Sequence, residues 1–276
     1  MAAQFDSWES YFYPETYDPR TGQGVMRNLR EWRSAEALSS YEYRMTGARQ
    51  RQLLAQPGLI ARTFDAAHVR AIHRHLFQDV YEWAGAFRGV NMAKGSGRGF
   101  GDVKTGEVER YLGDVHRLVT GTAWAELDRE QFGECAASVF AYLNQAHPFR
   151  EGNGRTSKVF MEHVAERSRF TFDYERVTPF EWNQASEFSR PDLYSYDPVP
   201  DSLVPVFRHI AVERPTTPEL EMTDQAAQVR SLYSASYPRP ATPGRSTGPQ
   251  SGTERPRRTG PGLPGQGYTT GRGDGR

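Results

Sequence analysis

The sequence predicts an all-α helical bundle with a small β-hairpin flap and a disordered C-terminal tail. Three observations carry this. Apolar residues recur at helical spacing, three or four apart, through most of residues 1–214. One short stretch, 87–100, is extended and then glycine-rich. Beyond Pro238 the composition changes to one that cannot build a core.

The helices follow from their start signals. Ser34 precedes a run with Leu38, Tyr41 and Met45, which predicts a capped helix near 35–55, interrupted around Gly47. Asp65 is an N-cap for a helix carrying Val69, Ile72, Leu76 and Phe77. Asp128 to Gln131 reads as a capping box, followed by Phe132, Val139, Phe140 and Leu143 on one stripe. That helix must stop near His147-Pro148, because the residue before a proline avoids helical geometry. A helix from about 154 to 167 buries Val159, Phe160 and Val164. Thr178-Pro179 places a cap and a proline at the first helical position of a helix through Phe188. A last helix near 201–213 carries Leu203, Val206, Phe207 and Ile210. No internal repeat is present.

The chain of 276 residues has 34 basic and 34 acidic residues. Its zero net charge gives no global argument for nucleic-acid or membrane binding. Cys135 is the only cysteine, which excludes an intramolecular disulfide and a cysteine zinc site. No run reaches the roughly 18 apolar residues of a spanning helix, and the start lacks a basic, then apolar, secretion signal. The default reading is a soluble, cytoplasmic protein. Residues 238–276 hold 7 Pro, 10 Gly and 7 Arg, against Glu254 and Asp274. Such a segment reads as a solvated basic tail, with docking or export as its functional alternative. Four parts are expected: an N-terminal helical segment over 1–62, a core over 63–214, a loose extension over 215–237 and the tail over 238–276.

The chemistry concentrates in residues 147–158. Gly152, Asn153 and Gly154 precede a helix, where backbone N–H groups and the positive helix end make an anion site suited to phosphates. Arg155 can fork onto phosphate oxygens, and Lys158 follows one turn later with a point charge. Glu151 supplies a hard oxygen ligand suited to Mg²⁺. His147 has the side chain whose titration suits proton abstraction near neutrality. A plain turn has no use for His, Glu, Arg and Lys together, whereas phosphoryl or nucleotidyl transfer uses all of them. His68, His73 and His75 lack metal-ligand spacing and read as surface or core residues; Cys135 reads as a buried thiol.

The run from His147 through Phe149, Glu151, Gly152, Asn153 and Gly154 to Arg155 resembles the signature of Fic-domain proteins, HxFx(D/E)GNGRxxR, and departs from it at Lys158. Trp83 to Arg88 with Phe100 resembles the family's flap region, and Tyr11 to Thr16 its N-terminal entry. The resemblance implies an all-α fold and transfer of AMP from ATP to a Tyr, Thr or Ser hydroxyl of another protein. It implies His147 as general base, Glu151 as Mg²⁺ ligand, Gly152, Asn153 and Gly154 on phosphate oxygens, Arg155 on the β-phosphate, and Lys158 near the γ-phosphate with a weaker grip than arginine. It implies Phe149 as a core anchor, and a flap of Val90, Asn91, Met92, Ala93, Lys94 and Gly95 that docks the target as an added strand. It further implies toxin or effector action, with a topoisomerase subunit or a small GTPase as the target class, and translocation as an alternative location. No strict [ST]xxxE[GN] inhibitory motif occurs: the stretches Thr105–Glu109, Thr122–Glu126 and Thr217–Glu221 each fail at the next residue. That resembles members controlled by a small antitoxin in trans. The alternative is a Fic-fold protein that transfers another group, such as phosphocholine, or a non-catalytic binding module.

Overall fold

The computed structural model describes residues 5–93 and 99–214. The expected extension over 215–237, the tail over 238–276, and the flap residues Lys94 and Gly95 lie outside them.

Seven α-helices and one two-stranded sheet form the described fold. Helix α1 spans Ala35–Ala55, with the Ser34 hydroxyl accepting from the Ala37 N–H. It runs unbroken through Gly47, against the expected interruption. Gly47 is buried on the packed face, so tertiary contact outweighs its low helix propensity of about 1 kcal/mol. Helix α2 spans Ala66–Phe77 and is capped by Asp65. Helix α3, Glu107–Gly121, is an addition to the expected elements. Its N-cap is Gly106 in the left-handed region, with no side-chain cap to announce it, although Val108, Leu112, Val115 and Val119 keep helical spacing.

Helix α4, Arg129–Ala146, starts with the complete Asp128–Gln131 capping box and ends on His147. Helix α5, Asn153–Ala165, is buried on nearly every face. A helix apolar or neutralised all round must be central, and α5 packs on α2 and α4. Strand β1, Phe170–Phe172, follows. Helix α6, Pro179–Phe188, has a second capping box, Thr178 with Glu181. Helix α7 is short, Val204–Ile210, and its chain continues as strand β2, Ala211–Glu213. The expected helix over 201–213 is therefore cut at Ile210. The backbone beyond it pairs antiparallel with β1, Thr171 opposite Val212, which satisfies amides that a further helical turn would have used internally. Phe132 of α4 packs on both β1 aromatics, Phe170 and Phe172, at 5.1 Å. α7 crosses α4 at Gly133, where a Cβ would lie 2.9 Å from the Arg208 backbone nitrogen. Cys135 is half-buried rather than fully enclosed, and burial raises its pKa.

A buried histidine pair joins α2 to α5. The Phe64 N–H donates to His68 Nδ1 at 3.1 Å, so His68 Nε2 carries the proton given to His163 Nδ1 at 2.9 Å. Burial, with Arg62 nearby, pushes both pKa values below the ordinary histidine range. Both rings are thus neutral when folded, while the unfolded chain protonates them near pH 6.5. Stability from this pair is full above about pH 6.5 and is lost as pH falls toward the folded values, by at most about 1.4 kcal/mol per pH unit for each ring. Thermal melts from pH 7.5 to 4.5 are expected to show a shallower loss for the His68→Phe, His163→Leu double variant than for the wild type. Parallel slopes would contradict this.

Candidate active site

The loop between α4 and α5 is held by four devices. The first is local. Asn153 closes the loop on itself: its Oδ1 accepts the Phe149 N–H at 2.9 Å and its Nδ2 donates to the Phe149 carbonyl at 2.7 Å. The second is Gly152, with φ +82°, which lets the chain enter α5 against the Phe77 ring. The third is His73 beneath the loop. The Gly85 N–H donates to its Nδ1 at 2.8 Å, and its Nε2–H donates to the Glu151 carbonyl at 3.0 Å. Its ring stacks on Phe149 at 3.8 Å, and burial lowers its pKa to about 3, so it stays a neutral strut.

Arg88 is the fourth device. Its Nε donates to the His147 carbonyl at 2.8 Å, while its other nitrogens donate to Val90 and Gly101 at 2.7 and 2.6 Å. One buried guanidinium thereby ties the flap base to the end of α4. The Phe100 N–H also donates to the Met92 carbonyl at 2.9 Å, and Ala93 bridges Gly99 antiparallel. These are the two ends of the expected hairpin.

His147 has φ +39° and ψ +57°, which turns the chain out of α4. Its ring stacks on Phe100 at 3.7 Å, and Arg190 covers Phe100 at 4.4 Å. Glu151 stands at the loop surface with its side chain 40% exposed, and its Oε1 accepts the Gly152 N–H at 3.0 Å. The first helical bond of α5 is donated by Thr156 to Gly152. The amides of Asn153, Gly154 and Arg155 therefore open the helix without an intrahelical acceptor. The His147 ring, the exposed Glu151 carboxylate and the open amides of the α5 start thus stand on one short loop and the helix that follows it.

The cations are placed less simply. Arg155 is buried, its NH2 paired with Glu42 of α1 and 3.7 Å from Glu151. Burial opposes its charge, but Glu42 and Glu151 outweigh that and raise its pKa. Lys158 is 1% exposed, with Nζ 4.6 and 5.3 Å from the Tyr174 and Trp182 rings. Burial lowers its pKa to about 7. Arg155 faces the α1–α2 side and Lys158 the α6 side. The Asn153 side-chain amide, in turn, is committed to the Phe149 backbone, which leaves its own backbone N–H at the start of α5. Arg150, a variable position of the motif, is caged by the N-terminal segment: Trp8 lies at 3.7 Å and Phe12 at 5.1 Å.

Glu42 and Arg190 were not singled out by sequence reasoning, while His73 was read only as a surface or core residue and Arg88 only as part of the flap region. Their separations from the loop residues they serve, 113 for Glu42 to Arg155 and 78 for His73 to Glu151, leave no signal in spacing. His73→Leu is expected to cost about 2–5 kcal/mol, because it leaves a buried N–H and a buried carbonyl unpaired. Denaturant melts would measure it; a loss under 1 kcal/mol would refute the strut role.

Fold and loop define a helical protein in which a positioned histidine and an open helix start are joined by one short loop. The sequence profile of the Fic/DOC family matches residues 63–165. The chain is 34% identical over 163 residues to "Probable protein adenylyltransferase y4lH" of Sinorhizobium fredii, covering 57% of this chain and 79% of that protein. It is 34% identical over 170 residues to "Protein adenylyltransferase VbhT" of Bartonella schoenbuchensis, but spans only 34% of that protein's length against 61% of its own. Among solved structures, BepC from Bartonella tribocorum with bound AMPPNP superposes with a TM-score of 0.60 at 21% identity, over 75% of this chain and 98% of that one. This chain belongs to the Fic/DOC family.

Proposed function

We propose that this chain is a protein adenylyltransferase, moving AMP from ATP to a Tyr, Thr or Ser hydroxyl of another protein. The observation that carries the reading is the loop from His147 to Gly152 with the start of α5, where a positioned histidine, an exposed carboxylate and the open amides of a helix start stand together. The naming of its relatives as protein adenylyltransferases supports it.

His147 takes the proton of the target hydroxyl, whose oxygen attacks the α-phosphorus as the bond to pyrophosphate breaks. The loop glycine Gly152 shapes the anion site, and the open amides of Asn153, Gly154 and Arg155, with the Arg155 guanidinium, hold the diphosphate that leaves. Glu151 fits Mg²⁺ because its carboxylate is exposed beside those amides. One carboxylate plus phosphate oxygens is an ordinary Mg²⁺ set, and the ion supplies charge neutralisation. Lys158 is an auxiliary cation, limited by its burial and lowered pKa. The flap from Val90 to Ala93, continuing to Lys94 and Gly95, aligns the target by backbone pairing. Control falls to a small antitoxin in trans, since no strict inhibitory motif lies in the chain. Targets are a topoisomerase subunit or a small GTPase. No helix among the described residues is long and apolar enough to cross a membrane.

ATP labelled on either the α- or the γ-phosphate, incubated with the protein and a bacterial lysate, tests this. Label reaching protein from the α position only is the expected result. Transfer from the γ position, or none from either in bacterial and host lysates, would overturn it.

A further inference from the structure

We infer that Glu42 of α1 is the positioning residue for Arg155, aiming the guanidinium at the diphosphate of the nucleotide. This rests on the adenylyltransferase reading.

The Glu42 carboxylate is 7% exposed, and both of its oxygens are used. Oε1 accepts from Arg155 NH2, and Oε2 accepts the Tyr81 hydroxyl of the segment after α2. Thr46, one turn further along α1, gives its hydroxyl proton to the Glu42 carbonyl at 2.8 Å, so its oxygen can accept from Arg155 NH1 at 3.3 Å. The Phe77 and Tyr43 rings lie 4.7 and 5.2 Å from the guanidinium carbon. Arg155 is thus gripped on its α1 side by a carboxylate, a hydroxyl and two rings. Those bonds use two of the five N–H donors of a guanidinium. On its other side NH2 lies 3.7 Å from Glu151 Oε1, beside the start of α5.

An internal carboxylate could instead compete with phosphate. Competition requires that it let go. Glu42 is anchored where it stands, because the Tyr81 hydroxyl holds its second oxygen and its backbone lies mid-helix in a 21-residue element. A pair that persists when the nucleotide arrives orients the arginine, as a carboxylate behind a metal-bound histidine orients the imidazole. It also neutralises a buried cation that would otherwise oppose folding.

The test is calorimetric titration of ATP and of AMP, each with Mg²⁺, into wild type and Glu42→Gln. AMP lacks the β-phosphate and serves as the internal control. Glutamine keeps the size and still accepts from Tyr81, but it presents no charge to the guanidinium. ATP binding is expected to weaken roughly tenfold, the loss of about one charge-assisted hydrogen bond, with AMP within twofold. Glu42→Asp, which keeps the charge one methylene back, is expected to restore part of the ATP affinity. Equal weakening for both nucleotides would mean a structural role only. Unchanged or tighter ATP binding would overturn the inference, the latter marking Glu42 as a competitor. If Glu42→Gln does not fold, Tyr81→Phe should give the same split at smaller size, and an absent split there overturns it as well. Failure of the wild type to prefer ATP over AMP would instead bring down the adenylyltransferase reading and this inference with it.

Discussion

His147→Ala is expected to lower AMP transfer by roughly 10²–10⁴-fold, the usual contribution of a positioned general base, while ATP binding stays within about twofold. The separation of the two effects follows from geometry. The imidazole is stacked on Phe100 at 3.7 Å and sits at the end of α4, whereas the amides proposed to hold the diphosphate open α5. The backbone of residue 147 is held independently of its side chain, because Arg88 binds its carbonyl and the Arg88 N–H binds the Pro148 carbonyl at 2.9 Å. The loop therefore keeps its path when the ring is removed. Transfer from α-labelled ATP, measured beside nucleotide titration, checks both halves. Retention of more than a tenth of the transfer would remove His147 from the base role, and loss of ATP binding would show that the ring holds the loop.

Gly152→Ala is expected to destabilise the protein by about 2–5 kcal/mol, from left-handed backbone strain of about 1–2 and overpacking of about 1–3. Glycine here has φ +82°, and a Cβ would lie 2.2 Å from Cζ of Phe77. Phe77 has nowhere to retreat: it is 0% exposed, with His73 stacked at 4.6 Å and Arg155 above it at 4.7 Å. For a domain of this size a loss of that order lowers Tm by roughly 5–20 °C. Displacing Phe77 also loosens Arg155, so ATP affinity should fall in parallel. Adding Phe77→Leu should recover the overpacking part and leave the strain. Thermal melts decide it, and a shift below about 2 °C would mean the loop accommodates a side chain at 152.

The helix starts were legible because capping acts within one turn. Asp65, Asp128 with Gln131, and Thr178 with Glu181 each bond the amide three residues on. α3 lacked such a cap, and its start was not marked. The end of α7 was misplaced because Ala211 to Glu213 leaves the helix to pair with β1, some forty residues away in sequence. The uninterrupted α1 is the same lesson, since burial of Gly47 overrides its local preference.

By itself the sequence determined the helical class and the chemical inventory of the loop. His147, Glu151, Gly152 and Arg155 lie within nine residues, on one helix end and one turn. Only the tertiary structure decided how those groups are aimed. It set Glu42 behind Arg155, His73 beneath Glu151, Phe100 against His147, and the Lys158 ammonium against Tyr174 and Trp182. The physical reason is range. Caps and turns are written in adjacent residues, whereas a buried charge finds its partner across the core, where separation along the chain carries no information about distance in space.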